Sequence, residues 1–198
     1  MRGIGLRKMV IQSKMPNAAK LNRPALAALI ITIVGSSWYI VAHQDSTPSL
    51  ADDFWTVYHD EATTEVRTAA FRRLIAVGNE QWEGANLSGV DLTDQQLVDV
   101  NIQNAQMDQV ILRGAVLKGA DLRGTTLNAS DLSDVDLSNA KLDEISFLRS
   151  TLDGANFASA GLRKASLEQV FATGSIFHGA DLSESYCLMA DVTASNFQ

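Results

Sequence analysis

A single cysteine, Cys187, stands among the 198 residues. One thiol excludes an internal disulfide and any cysteine-rich metal centre. Gly-rich phosphate loops, nucleophile elbows and Cys pairs are absent as well. The three histidines, His43, His59 and His178, fall in three different segments without ligand spacing. His59-Asp60-Glu61 has the residue types of a metal site, but neighbours on a helix point apart. Acids are missing from residues 1–44, which carry six Arg and Lys. Residues 45–78 carry six acids and three bases, and residues 79–198 carry 17 acids and seven bases. The charge changes sign across one apolar segment.

That segment is 25–42, 18 uncharged residues ending near Trp38 and Tyr39. Its length just spans a bilayer, and its aromatic pair suits an interface. We read it as a single-pass transmembrane helix bound to membrane lipid, preceded by a basic cytoplasmic tail, 1–24. The positive-inside bias then puts the rest of the chain on the periplasmic or extracytoplasmic side of a cell (inner) membrane. A cleaved signal fits less well, because the basic leader is long and Ile40-Val41-Ala42 is a poor cleavage site. A buried apolar helix is the third reading. Residues 43–49 read as a linker, and 50–78 as one amphipathic helix closed by Gly78. Its apolar stripe runs through Leu50, Phe54, Val57, Tyr58, Ala62, Val66, Ala69, Ala70, Leu74 and Val77. Its expected role is to cap the open edge of the C-terminal segment, 79–198.

Residues 79–198 are a repeat. Every fifth residue from Trp82 to Phe197 is apolar, 24 positions without exception. At the chain's 46% hydrophobic content, roughly one random sequence in 10⁸ would do this. Two residues before each centre from Leu87 onward runs a second ladder of 23 small or β-branched residues, starting at Ala85 and broken only by Gln95. A helix would carry a five-residue stripe around its cylinder, and a flat strand would put successive centres on opposite faces. A bend in every unit, always toward the same axis, satisfies both ladders and coils the chain into a solenoid. Gly84, Gly89, Gly114 and Gly119 mark the position that needs permissive dihedrals, and Asp or Asn frequently precedes the centre to hydrogen-bond the turn.

Units such as Ala85-Asn86-Leu87-Ser88-Gly89, Ala120-Asp121-Leu122-Arg123-Gly124 and Ala180-Asp181-Leu182-Ser183-Glu184 resemble the pentapeptide-repeat family. The resemblance implies a β-solenoid: a right-handed quadrilateral β-helix with four units per coil. Twenty-four units then make six coils and a rod about 29 Å long. Ala172 is the one alanine among the centres, with Phe171 beside it, and a local distortion is expected there. Cys187 occupies a ladder position and is expected to be buried. Tyr186, Leu188 and Met189 face outward on the side that also carries Leu148, so the C-terminal coil is expected to meet a second copy, as a homodimer, or another protein.

Chemistry finds no home in this pattern. Asp143-Glu144 and the Asp131/Asp134/Asp136 group are explained as solvated corner residues, and a leucine-filled rod has no cleft. No catalytic, cofactor-binding or metal-binding residue is assigned, no cofactor is expected, and the chain is read as a non-enzyme. The expected function is a membrane-anchored scaffold or protein–protein interaction module with an unknown protein partner. The alternative is an acidic DNA-mimic rod that binds a topoisomerase or another nucleic-acid-binding protein. It is weakened by Arg123 and Arg163-Lys164 on one face and by export. Direct nucleic-acid binding is not expected of an acidic rod.

Overall fold

In the computed structural model, residues 30–34, 37–41, 50–58, 62–76, 78 and 80–198 are described. From residue 81 onward the chain forms a coil in which each residue before a centre bridges, in parallel, the residue twenty positions later. The series runs from Gln81↔Asn101 to Ile176↔Asn196. Twenty residues per coil at five per unit gives four sides and six coils, as the repeat implies. Each side contributes one bridging residue per coil and no extended strand, because the turn uses the rest of the unit.

Every unit solves the same local problem. In nineteen of the 23 turns the centre's carbonyl accepts from the N–H three residues on, as in Val90 N to Leu87 O at 3.1 Å. The residue two after the centre has a positive φ at all 23 turns, from +53° at Ala129 to +71° at Gly89. This is the third position of a type II turn, which glycine fills without strain. Fifteen of these turns carry another residue type, and Asp and Asn are the ones that tolerate the geometry best. Three further bonds tie a unit to the next coil, for example Leu87 N to Gln106 O (2.7 Å), Gly89 N to Asp108 O (2.9 Å) and Gln106 N to Ala85 O (2.9 Å).

The interior is dry. All twenty ladder centres from Trp82 to Phe177 are buried, Ala172 among them. No distortion occurs at Ala172: Thr151↔Phe171↔Asp191 keeps register and Phe171 turns its ring outward. The small side chain leaves room in a coil that also holds Phe177, whose ring stacks on Phe157 at 4.9 Å and on Phe197 at 4.8 Å, the spacing of successive coils. Cys187 departs from expectation and is exposed. The sixth coil is stacked on one side only, so its centres Leu182, Cys187, Val192 and Phe197 keep an open flank. The buried Thr and Ser of the second ladder are satisfied internally. Thr125 Oγ1 donates to Ile102 O (2.6 Å) and Ser175 Oγ to Leu152 O (2.7 Å), which removes the cost of an unpaired buried hydroxyl.

Two expectations upstream are corrected. The described part of 25–42 is not a helix but two short antiparallel strands, β1 (Ile30–Val34) and β2 (Ser37–Val41), with Ile30 opposite Val41. Both are built largely of β-branched and aromatic residues, which favour strands. Among the described residues no helix is long and apolar enough to cross a membrane. The tail 1–24, the linker 43–49 and His59-Asp60-Glu61 lie outside the described residues. The single helix expected over 50–78 is two, α1 (Leu50–Tyr58) and α2 (Thr64–Ala76). The interruption resets the helical phase. The buried face of α2 is Arg67, Ala70, Phe71 and Leu74, while Val66 and Ala69, placed on the stripe by a continuous period, are exposed. Gly78 has φ +80° and its N–H donates to Ile75 O at 2.8 Å, which closes α2 as expected.

Candidate functional site

The candidate site is the surface of the rod, and its lower edge is the part where chemistry differs most from the repeat. Each inner coil finds its edge partners in the coil below. The first coil finds them in α1 and α2. Asn86 N–H donates to Val57 O (2.7 Å), and Asp91 N–H to Thr68 Oγ1 (3.2 Å). The carbonyls of Ser88 and Asp91 accept from Arg67 Nη1 and Arg72 Nη2, both at 2.8 Å. Each is an edge group that would otherwise face water or another strand. Below them Trp82 is packed by Phe71 (centroids 4.3 Å apart) and Phe54 (6.1 Å). The two helices are held together by Arg73, which forks onto the buried carboxylate of Asp53 at 2.9 and 2.5 Å. None of these arginines stands out in the sequence. The available signal was the position of Arg67 three and four residues before Ala70 and Phe71 on an otherwise apolar face.

The four sides differ in charge. The twenty-residue register assigns Asp121, Lys141, Arg123, Asp143, Glu144, Arg163, Lys164, Asp181 and Glu184 to the first side, whose centres include Leu122 and Leu142. Its cations are paired. Arg123 forks onto Asp121 (2.9 and 2.7 Å), Arg163 reaches Glu184 (3.1 Å), Lys141 lies 3.7 Å from Asp121, and Lys164 lies 3.9 Å from Glu144. The Arg123 hydrogen bonds hold the Asp121 carboxyl below the ordinary value of 3.8. A shallow, open depression of about 340 Å³ lies here, lined by Gln103, Asn104, Arg123, Gly124, Asp143 and Glu144.

The third side, with centres Leu92 to Val192, carries Asp91, Asp94, Asp131, Asp134, Asp153 and Asp191 against one cation of the repeat, Arg113, which binds Asp131, and Arg72 of α2, 3.5 Å from Asp91. Hydrogen bonds from Thr93, backbone first and hydroxyl second, keep Asp91 below its usual range. At Asp131 burial pushes upward, but bonds from Ser133 and Arg113 outweigh it and the net shift is downward. The Asp131/Asp134/Asp136 group is not one cluster, because Asp136 starts the fourth side, where its Oδ1 accepts from Ser138 N and Asn156 Nδ2 (3.0 and 3.1 Å). Asp143 accepts from Arg163 N–H at 3.2 Å, a structural corner bond. His178 is exposed on the fourth side. Among the described residues no three His, Cys, Asp or Glu come together in a way that could hold a metal ion.

The outward side chains of this four-sided solenoid bind their own turns and those of the neighbouring coils, as Arg123 does Asp121 and Arg163 does Glu184. The chain belongs to the pentapeptide repeat family, whose model matches residues 83–114, 96–128, 130–169 and 160–198. Members form right-handed quadrilateral β-helices and are generally non-enzymatic structural or interaction proteins. Among solved structures the chain is similar to Rfr23, a pentapeptide repeat protein of the cyanobacterium Cyanothece 51142. The identity is 22% over 67% of this chain and 99% of that one, with a TM-score of 0.48. It is also similar to HetL of Nostoc sp. strain PCC 7120, involved in heterocyst differentiation regulation, at 26% identity over 57% and 60% of the two chains and a TM-score of 0.39. A third is QnrB1, a plasmid-mediated fluoroquinolone resistance protein, at 15% identity over 58% and 59% of the chains and a TM-score of 0.40. No curated protein matches the chain in a sequence search.

Proposed function

We propose that this protein is a non-enzymatic interaction module, a rigid rod that presents flat sides to another protein. The observation that carries this reading is the division of labour within each unit. The centre and the small residue before it are spent on the core, and the turn residues bind their own backbone. What is left is a regular array of outward side chains on a stiff frame. Photo-crosslinking from single outward positions, one per side, tests it. Adducts to one protein from one side are expected, and uniform weak labelling from all four sides would refute it.

The finer part of the proposal places the rod on the periplasmic or extracytoplasmic face of a cell membrane. Its support is the uncharged run 25–42 behind a six-cation leader. Alkaline extraction of membranes, with a reporter fused after Gln198, tests both halves; a protein released by alkali, or a reporter active in the cytoplasm, would remove it.

A second reading, the acidic rod as a decoy for a nucleic-acid-binding protein such as a topoisomerase, is favoured by the sorting of charge. Four of the repeat's seven cations lie on the first side, which leaves the third side with six acids and one base. The mixed charge of one side therefore does not interrupt the acidic run on another. Inhibition of a topoisomerase that is relieved by added duplex DNA would support it.

A further inference from the structure

Each unit leaves one backbone N–H out of the ladder. It belongs to the residue after the centre and donates to no carbonyl among the described residues. The rod has a regular answer for it. In ten units the Asp or Asn before the centre accepts it, as Asp91 Oδ1 does from Thr93 N and Asn156 Oδ1 from Ala158 N, both at 3.0 Å. Four units lack that residue and take their oxygen from the coil below. Asp108 accepts from Asn128 N (2.9 Å), Asn128 from Leu148 N (3.1 Å), Asp143 from Arg163 N (3.2 Å) and Asp153 from Thr173 N (2.8 Å). These four are the only Asp or Asn placed just after a centre, and each lies under a unit without its own. No N–H is served twice. The position is built for a carboxylate or amide oxygen, supplied by whichever neighbour reaches it.

In the other ten units no group among the described residues accepts this N–H. Two such donors stand one coil apart at only two places, Val98 with Lys118 and Glu168 with Leu188. At the second the Glu168 carboxylate repels an anion. The first is different. Lys118 is the one cation of the repeat whose side chain has neither a hydrogen bond nor an ion pair among the described residues. The fourth side, to which it belongs, carries only two other charges, Asp99 and Asp136. Asp136 is engaged by Ser138 N and Asn156 Nδ2 (3.0 and 3.1 Å), and Asp99 sits at the corner with its carboxylate over Gly119. Val98 itself is 46% exposed and gives the pair an apolar shoulder.

We propose that the N–H groups of Val98 and Lys118, with the Lys118 ammonium, anchor a carboxylate side chain of the protein partner, which docks on the fourth side. This rests on the reading of the rod as an interaction module and names the side used and the chemistry it holds. The rod itself shows what fits, because a side-chain oxygen accepts the equivalent N–H in fourteen other units. Two donors about 4.8 Å apart match the two oxygens of one Asp or Glu, and the ammonium makes both bonds charge-assisted. A neutral amide would lose that part of the attraction. The surroundings agree with a protein interface, whose centre is poor in charge and keeps a few directed polar contacts. On the first side, by contrast, every cation is already paired with an acid of the rod.

Amide NMR of the full chain in mild nonionic detergent, titrated with N-acetyl-glutamate amide at fixed ionic strength, tests the anchor. The amide protons of Val98 and Lys118 are expected to move downfield along one saturating curve. Those of Arg113 and His178, which are open but stand alone, should move little, and N-acetyl-glutamine amide should move none of them. The double variant Gln96→Asn, Val116→Asn supplies both N–H groups with an acceptor from the rod. It keeps Lys118 and the net charge, and it suits a fold that already holds Asn before four of its centres. Its affinity for the probe is expected to fall at least ~10-fold with the melting temperature unchanged or raised. Lys118→Gln should weaken the probe by a similar factor, and Asp99→Asn should strengthen it. The absence of a saturating shift at Val98 and Lys118 overturns the proposal, as does an equal response at Arg113 and His178. Undiminished binding by the double variant overturns it too, because the ammonium alone would then hold the probe. Photo-crosslinks to a partner from another side, and none from the fourth, would remove this anchor and leave the interaction module standing.

Discussion

The first coil and the inner coils have the same needs and meet them with different chemistry. An inner coil pairs its edge N–H and C=O groups with a copy of itself twenty residues away, so the answer is periodic. The first coil takes a helix carbonyl from Val57, a hydroxyl from Thr68 and two guanidinium groups from Arg67 and Arg72. A repeat can therefore specify its own continuation with five residues, but its beginning has to be written in residues that occur once.

The comparison can be broken from either side. In the inner coils Leu132→Ala removes a centre that is wholly buried. About 2–5 kcal/mol of stability should be lost, read as a lower denaturant midpoint. A loss under about 1 kcal/mol would mean that the interior collapses around the gap. At the first coil Asp53→Ala frees Arg73, whose side chain is 45% exposed and can turn to water, so the expected loss is smaller, about 1–2 kcal/mol. Hydrogen exchange should locate it. The amides of Asn86 and Asp91 should exchange faster, while those of Thr126 and Ser146 keep their protection.

A finer test uses two glycines with nearly the same φ. A Cβ at Gly84 meets nothing within 4 Å, whereas one at Gly89 meets Thr64 Cγ2 at 2.6 Å. Gly84→Ala is expected to cost about 1 kcal/mol from the left-handed conformation alone, and Gly89→Ala more, because it presses on α2. Equal costs would show that the helix contact is loose. The smallest expected effect is that of acid. Asp91 has its pKa lowered by folding, so its contribution is complete above the unfolded value of 3.8 and fades as pH falls through the lower folded value. Asp91→Asn should flatten the fall of melting temperature below pH 4 and change little at pH 7. The half-exposed Arg72–Asp91 pair limits the effect to tenths of a kcal/mol.

The same difference decides how much of the molecule is legible in its sequence. The period, the two ladders, the turn position and the Asx bonds repeat about two dozen times, and repetition averages out exceptions such as Gln95 and Ala172. The upstream segment is stated once. A stripe read straight through 50–78 cannot register the break between Tyr58 and Thr64, so it places Val66 on the buried face and leaves Phe71 off it. The run 25–42 is apolar enough for a membrane helix, while its β-branched residues also suit strands. Hydropathy alone does not separate the two. The surface is the least legible part, because the side to which a charge belongs depends on its number modulo twenty. Arg123 and Asp131 lie eight residues apart and on different sides.

The register has one more consequence, for how such a chain changes over time. Losing or gaining five residues leaves the dry interior intact but swings every later outward side chain by a quarter turn, so that a binding surface is cut in two. Losing or gaining twenty shortens or lengthens the rod and keeps each surface in line. Length can therefore drift by whole coils at little functional cost, while a single-unit slip scrambles what the molecule shows to its surroundings.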